Sequence, residues 1–194
     1  MISIEKSEVF NIEGALRGMR NPLESWDKST PESDIELARR LFKSGSDHRK
    51  FTRQILFCVD ITLPLYVWKE FDQYKIGVTT NSCSTMHNIH KRPFTLEDFS
   101  LDQTTGSATV HMAHTIEYLN RQRELYLNTK KKEHWRNMIV SLPTSYMQKR
   151  TVTGSYENLV NIYKQRKHHK LTEWHTVCAW VDTLPLMEVL LHEL

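Results

Sequence analysis

Cysteine is scarce in this chain. There are three, Cys58, Cys83 and Cys178, at distant positions and with no C-x-x-C among them. An odd number of separated thiols does not make a disulfide framework and suits a reducing cytosol. Glycine and proline number six each in 194 residues, which excludes collagen-like, linker-like and low-complexity chains. No apolar run approaches the roughly 20 residues needed to span a bilayer, and the opening MISIEKSEVF lacks a basic stretch followed by an apolar one. The expectation is a soluble cytoplasmic protein without a membrane partner. Charge of one sign is also in short supply: the net charge of +3 is too mild for a dedicated duplex-binding domain, so no duplex nucleic acid partner is expected. Missing too are a P-loop, a G-x-G-x-x-G and a G-x-S-x-G elbow, which removes the cheapest support for three common enzyme classes.

What is present is enough apolar material, 39%, for a packed core, and 25% charged residues for a soluble surface. Thr30-Pro31-Glu32 reads as a helix start, and Ile35, Ala38, Leu41 and Phe42 recur at helical spacing until Gly45 supplies the stop. Phe51, Ile55, Phe57, Val59 and Ile61 then alternate with polar residues, which predicts a strand with one strongly buried face. Leu56 interrupts the polar side and implies that the second face is partly covered. Pro64 ends that strand and opens a helix over LYVWKEFDQY, Lys75 to Ser84 reads as strand or loop, and His87 to Gly106 has no clean period. Four helical stretches follow, marked by Ile116 and Leu119, by Trp135 to Leu142, by Leu159 to Tyr163, and by Leu171 to Val181 ahead of Pro185. The reading is one α+β domain over residues 1–194, a small central sheet packed by helices with a helical C-terminal half.

Candidate chemistry is dispersed. His87 and His90, and His111 and His114, form two H-x-x-H pairs that could in principle supply four imidazoles. No cysteine falls within either pair and H-E-x-x-H is absent, so no metal site is expected. Cys83 sits between Ser82 and Ser84 with no base apparent in the sequence, and reads as an inert thiol. From Lys149 to Lys170 the only acid is Glu157 among Lys149, Arg150, Lys164, Arg166, Lys167 and Lys170. Such a segment is either a solvated helix face or a phosphate-holding one.

Taken in order, His48, VDITLPLYVWKEFDQYK (59–75), IGVTTNSCSTMH (76–87), SYENLVNIYKQR (155–166) and KLTEWHTVCAWV (170–181) resemble the flavin-dependent thymidylate synthases (ThyX). Those proteins carry a histidine before a strand, then a helix ending in Arg-His-Arg, a loop of the form N-E-x-S-x-R-Y, and a late helix beginning Asn-x-Arg. The resemblance implies an α+β fold and a homotetramer with nucleotide and flavin sites where subunits meet. It implies FAD as cofactor, NADPH and methylene-tetrahydrofolate as co-substrates, and dUMP as the nucleotide methylated at C5. Residue by residue it implies that His48 touches the flavin, that Asn161 helps to hold it, and that Arg166 contacts and polarises the uracil ring. Ser84 matches the loop serine near the nucleotide, with Asn81 aligned once a one-residue insertion is allowed.

The departures are chemical. Gln73-Tyr74-Lys75 stands at the Arg-His-Arg positions on the cofactor side, Ser82 replaces the loop glutamate beside the nucleotide, and Met86 replaces its arginine. Ser155-Tyr156-Glu157 replaces Asn-x-Arg, reversing a charge. Lys75, Lys149 and Arg150 remain as available anion donors. Two functions therefore follow from the resemblance. One is an enzyme transferring a one-carbon unit to C5 of a pyrimidine deoxynucleotide, with Arg166 and Ser84 at the chemistry. The other is a protein of the same fold that binds a nucleotide or dinucleotide without turnover. A third class, an interaction module acting through surface aromatics, has only the five Trp and seven Tyr in its favour.

Overall fold

In the computed structural model, which describes residues 2–193, a strand β1 (Ser3–Phe10) leads into α1 (Ile12–Gly18) and α2 (Pro31–Lys43). Next come β2 (Leu56–Pro64), α3 (Leu65–Phe71), β3 (Thr79–Ser82) and α4 (Thr85–Asn88). The long α5 (Gly106–Thr129) and α6 (Lys132–Ser141) precede β4 (Met147–Ser155), and α7 (Tyr156–Arg166), α8 (Glu173–Asp182) and α9 (Met187–Leu191) complete the chain. The four strands form one sheet in the order β1-β2-β4-β3. Thr151 Oγ1 donates to Asp60 Oδ1 at 2.6 Å and Thr153 Oγ1 to Cys58 Sγ at 3.5 Å. The partner number falls as the other rises, so β2 and β4 run antiparallel.

By contacts the described residues divide into two compact units. The first consists mainly of Ile61–Glu70 and Asn81–Arg150. Its core joins Met112 and Leu119 of α5 and Met138 of α6 to Ile89, Phe94 and Phe99. The stretch without a clean period is ordered by polar side chains rather than by a repeating apolar face. The Asn120 amide accepts from Phe94 N at 2.8 Å and donates to Phe94 O at 3.0 Å. Asp98 accepts from Thr95 N at 2.8 Å and is held bidentately by Arg92.

The second unit consists mainly of Ile4–Asp60, Phe71–Thr80 and the chain from Thr151 onward. Helix α2 starts where expected, with a reciprocal Thr30–Ser33 capping box and Pro31 in the first turn. It ends before Gly45, whose φ of +104° suits only a residue without a Cβ. Helix α7 packs on α8 and opens with a second capping box, Ser155 with Asn158.

The sequence reading needs three corrections: the start of β2, the presence of β1, and the element that carries Lys149 and Arg150. The β2 strand starts at Leu56, not Phe51, because Lys50–Arg53 forms a 3-10 turn ahead of it; Pro64 ends the strand as expected, and α3 follows at once over Leu65–Phe71. Leu56 itself is 42% exposed, while Cys58, Asp60 and Thr62 on the same face are half-buried, which is the partly covered second face that the sequence implied. β1 was not anticipated, since its alternation is interrupted at Lys6, which has φ +52°. Lys149 and Arg150 lie on β4, where alternate burial of Val152 and Gly154 shows the period of two; they are not on a helix face.

Candidate functional site

The last turn of α7 carries Arg166, and the side chains of Tyr74 and Trp174 restrain it. Its Nε donates to Tyr74 Oη at 2.9 Å, and Tyr74 Oη donates in turn to Gln165 Oε1 at 3.0 Å. Its guanidinium lies 4.9 Å from the centroid of Trp174 and 5.6 Å from that of Tyr74. Trp174 is fully buried and stacks on Phe71 with rings 6.0 Å apart and 6° from parallel. The cation therefore rests on a rigid aromatic wall, in a setting where cation–π attraction and a charge-assisted hydrogen bond act together. Tyr74 meets Arg166 directly; its neighbours Gln73 and Lys75 are exposed.

His48 lies ahead of the Lys50–Arg53 turn, exposed on the wall of a cavity of about 740 Å³. This cavity lies within the second unit, between the residues after α1, helix α2 and the 3-10 turn. One wall is buried Arg20, whose guanidinium grips Asp34 (Nε to Oδ1, 2.7 Å) and Ser33 (Nη2 to Oγ, 2.8 Å). The residue after His48 is fixed as well. Arg49 donates from Nη2 and Nε to the two Glu157 oxygens at 2.8 and 3.0 Å, while Thr52 Oγ1 donates to Glu157 Oε2 at 2.7 Å. The reversed charge at Glu157 is thus neutralised within the chain. Asn161 is half-buried one turn further along α7. No other residue expected at the site lines the His48 cavity.

In the first unit, Ser84 and Lys149 line a single cavity of about 410 Å³, together with Cys83, Tyr146 and Gln148. Ser84 caps α4: its Oγ accepts from His87 N and lies 2.8 Å from His87 Nδ1. Gln148 Nε2 donates to Cys83 O at 3.0 Å, and Arg150 Nε donates to Gln148 Oε1 at 3.0 Å. Arg150 lies 4.4 Å above the ring of buried Trp68. Burial, with Asp98 nearby, raises the Tyr146 phenol above its ordinary value, while Arg92 opposes the shift. Asn81 and Ser82 are exposed on β3 and lie outside this cavity's lining.

Among the described residues no group of three or more His, Cys, Asp or Glu is placed to hold a metal ion, and no helix is long and apolar enough to cross a membrane. Sequence reasoning missed the Tyr74–Trp174 seat of Arg166, because Trp174 reads only as a core residue. It also missed the Arg49–Glu157 pair, whose members are 108 residues apart.

By sequence the chain matches no protein-family model and none of the curated proteins. Its fold is similar to the crystal structure of thymidylate synthase X from Helicobacter pylori with FAD and dUMP. That likeness has a TM-score of 0.78 over 97% of this chain and 96% of that one, at 15% identity. It is also similar to the UMP/dUMP methylase PolB from Streptomyces cacaoi bound with 5-Br dUMP, with a TM-score of 0.71 over 99% and 94% of the two chains at 14% identity. The chain has a ThyX-like α+β fold in a divergent form.

Proposed function

We propose that this ThyX-like chain binds FAD and a pyrimidine deoxynucleotide and transfers a one-carbon unit to C5 of dUMP, with NADPH and methylene-tetrahydrofolate as co-substrates. The observation that carries this reading is Arg166, a guanidinium seated on Tyr74 and Trp174 at the end of α7. Catalysis of this kind asks for little covalent chemistry from the protein and depends on orientation and on charge stabilisation.

The residues present fit the cofactor. The cavity beside His48, at about 740 Å³, is within the size range of cofactor sites and combines apolar and charged walls. A bound flavin supplies hydride chemistry that no side chain offers. The chain's own residues bind and orient. His48 forms part of the flavin's wall, and Asn161 offers a side-chain amide from α7. Arg166 stabilises negative charge developing on a pyrimidine carbonyl oxygen. Ser84 hydrogen-bonds the nucleotide, and Lys149 holds its phosphate with help from Arg150. In this reading the active assembly is a homotetramer with sites where subunits meet.

The second reading, nucleotide binding without turnover, is favoured by Glu157, a carboxylate neutralised by Arg49 where the resemblance calls for an arginine. The visible spectrum of the purified protein tests the first. A flavin band, present on isolation or after FAD titration, is expected, together with nucleotide-dependent bleaching under reducing conditions. A colourless protein that takes up no FAD overturns it, and calorimetry with dUMP and UMP then decides the second.

A further inference from the structure

The cavity beside His48 carries more cations than its architecture requires. Arg20 is buried and consumed by Asp34 and Ser33, so it builds the wall. Lys28, Arg40 and Lys50 line the same cavity, and among the described residues none of them makes an ion pair. They arrive from three separate elements: the 3-10 turn Trp26–Lys28, helix α2, and the 3-10 turn Lys50–Arg53. Two acids, Glu36 and Asp47, share the lining, so the three cations leave a positive balance before His48 is counted. Like charges gathered on one concave surface repel each other, and an anion between them removes that cost. The same α2 and 3-10 turn also give the lining its apolar part, with Leu37, Leu41 and Phe51.

We propose that this cavity is a binding site for a phosphorylated ligand, its phosphate or diphosphate held by Lys28, Arg40 and Lys50 and its apolar body laid against Leu41 and Phe51. Arginine offers a planar fork and lysine a point charge, the usual donors to phosphate oxygens. The volume of about 740 Å³ suits a ligand of nucleotide to dinucleotide size. The inference deepens the flavin reading by naming the groups that grip the anionic end, and it rests on that reading for the choice of a diphosphate.

The test is isothermal titration of inorganic pyrophosphate, and separately of FAD, into the full chain at two salt concentrations. Pyrophosphate is expected to bind more weakly at higher salt. The triple variant K28E/R40E/K50E is expected to weaken it at least ten-fold while the thermal melt is preserved, since all three side chains are exposed. A control triple, K131E/K132E/R136E, changes net charge equally on exposed residues of the first unit and is expected to leave binding unchanged. Equal weakening by both triples overturns the proposal, because the attraction is then one of net charge alone. FAD binding the wild type and K28E/R40E/K50E equally well also overturns it and leaves the flavin reading standing. Pyrophosphate binding lost only in the cavity triple, with no FAD uptake by the wild type, sustains the site and removes the flavin.

Discussion

Arg166 is oriented before any ligand arrives. One of its nitrogens is committed to Tyr74, and its guanidinium lies over the rings of Tyr74 and Trp174. In the proposed reaction that guanidinium is the stabiliser of developing charge, so Arg166→Ala should lower kcat by about 3 kcal/mol while flavin affinity measured by titration stays nearly constant. Tyr74→Phe keeps the ring and deletes the hydrogen bond. The expected loss is about 1 kcal/mol, roughly five-fold in kcat, with KM little changed. A variant in which KM moves and kcat does not would instead mean that Tyr74 serves ground-state binding. The order of His48, Ser84 and Arg166 along the chain was legible in the sequence, whereas the role of Tyr74 was not. A tyrosine at a position where the resemblance calls for a cationic or imidazole group reads as a loss until its hydroxyl is seen to accept from the arginine.

At the scale of elements, the Arg49–Glu157 pair ties the first turn of α7 to the segment that carries His48. Both side chains are about nine-tenths buried, at 12% and 13% exposure. Removing one partner leaves an uncompensated buried charge, so Glu157→Ala should destabilise by about 3 kcal/mol in a denaturant titration. The R49A/E157A double variant should cost less than the sum of the singles. The β4 strand depends on Gly154 for a different reason. A Cβ there would sit 2.9 Å from Phe57 Cε1, and Phe57 is buried near the start of β2. Gly154→Ala should therefore cost about 1–3 kcal/mol by overpacking, visible as a lowered melting temperature. Helix α2 was readable from local chemistry alone, because its capping box and proline lie within four residues of one another. β4 was not, because its lysine and arginine carry no record of which partner strand they lie beside.

For the whole molecule, burial sets the response to alkali. Burial, with a smaller contribution from Asp182, pushes the Cys178 thiol up to about 11 from an ordinary 9.0. Burial also raises the Tyr156 phenol, whose hydroxyl donates to Pro185 O at 2.8 Å. Between pH 9.0 and about 11 the unfolded chain has released the thiol proton that the folded chain still holds. The unfolded state then binds fewer protons, so stability falls as pH rises through this window and is fully present below it. Melting temperatures measured across that range should decline, and Cys178→Val should flatten the decline.

The sequence by itself determined the α+β class, the capped helix ahead of β2, the alternation within β2 and the helical stripes of the second half. Each of these rests on contacts between residues a few positions apart, where spacing and side-chain type suffice. Tertiary structure alone decided that Tyr74 seats Arg166, that Arg49 neutralises Glu157, and that Lys28, Arg40 and Lys50 share one cavity. Those groups are joined across about 10 to over 100 residues of chain, and Coulomb and hydrogen-bond energies depend on distance in space, which residue spacing does not encode.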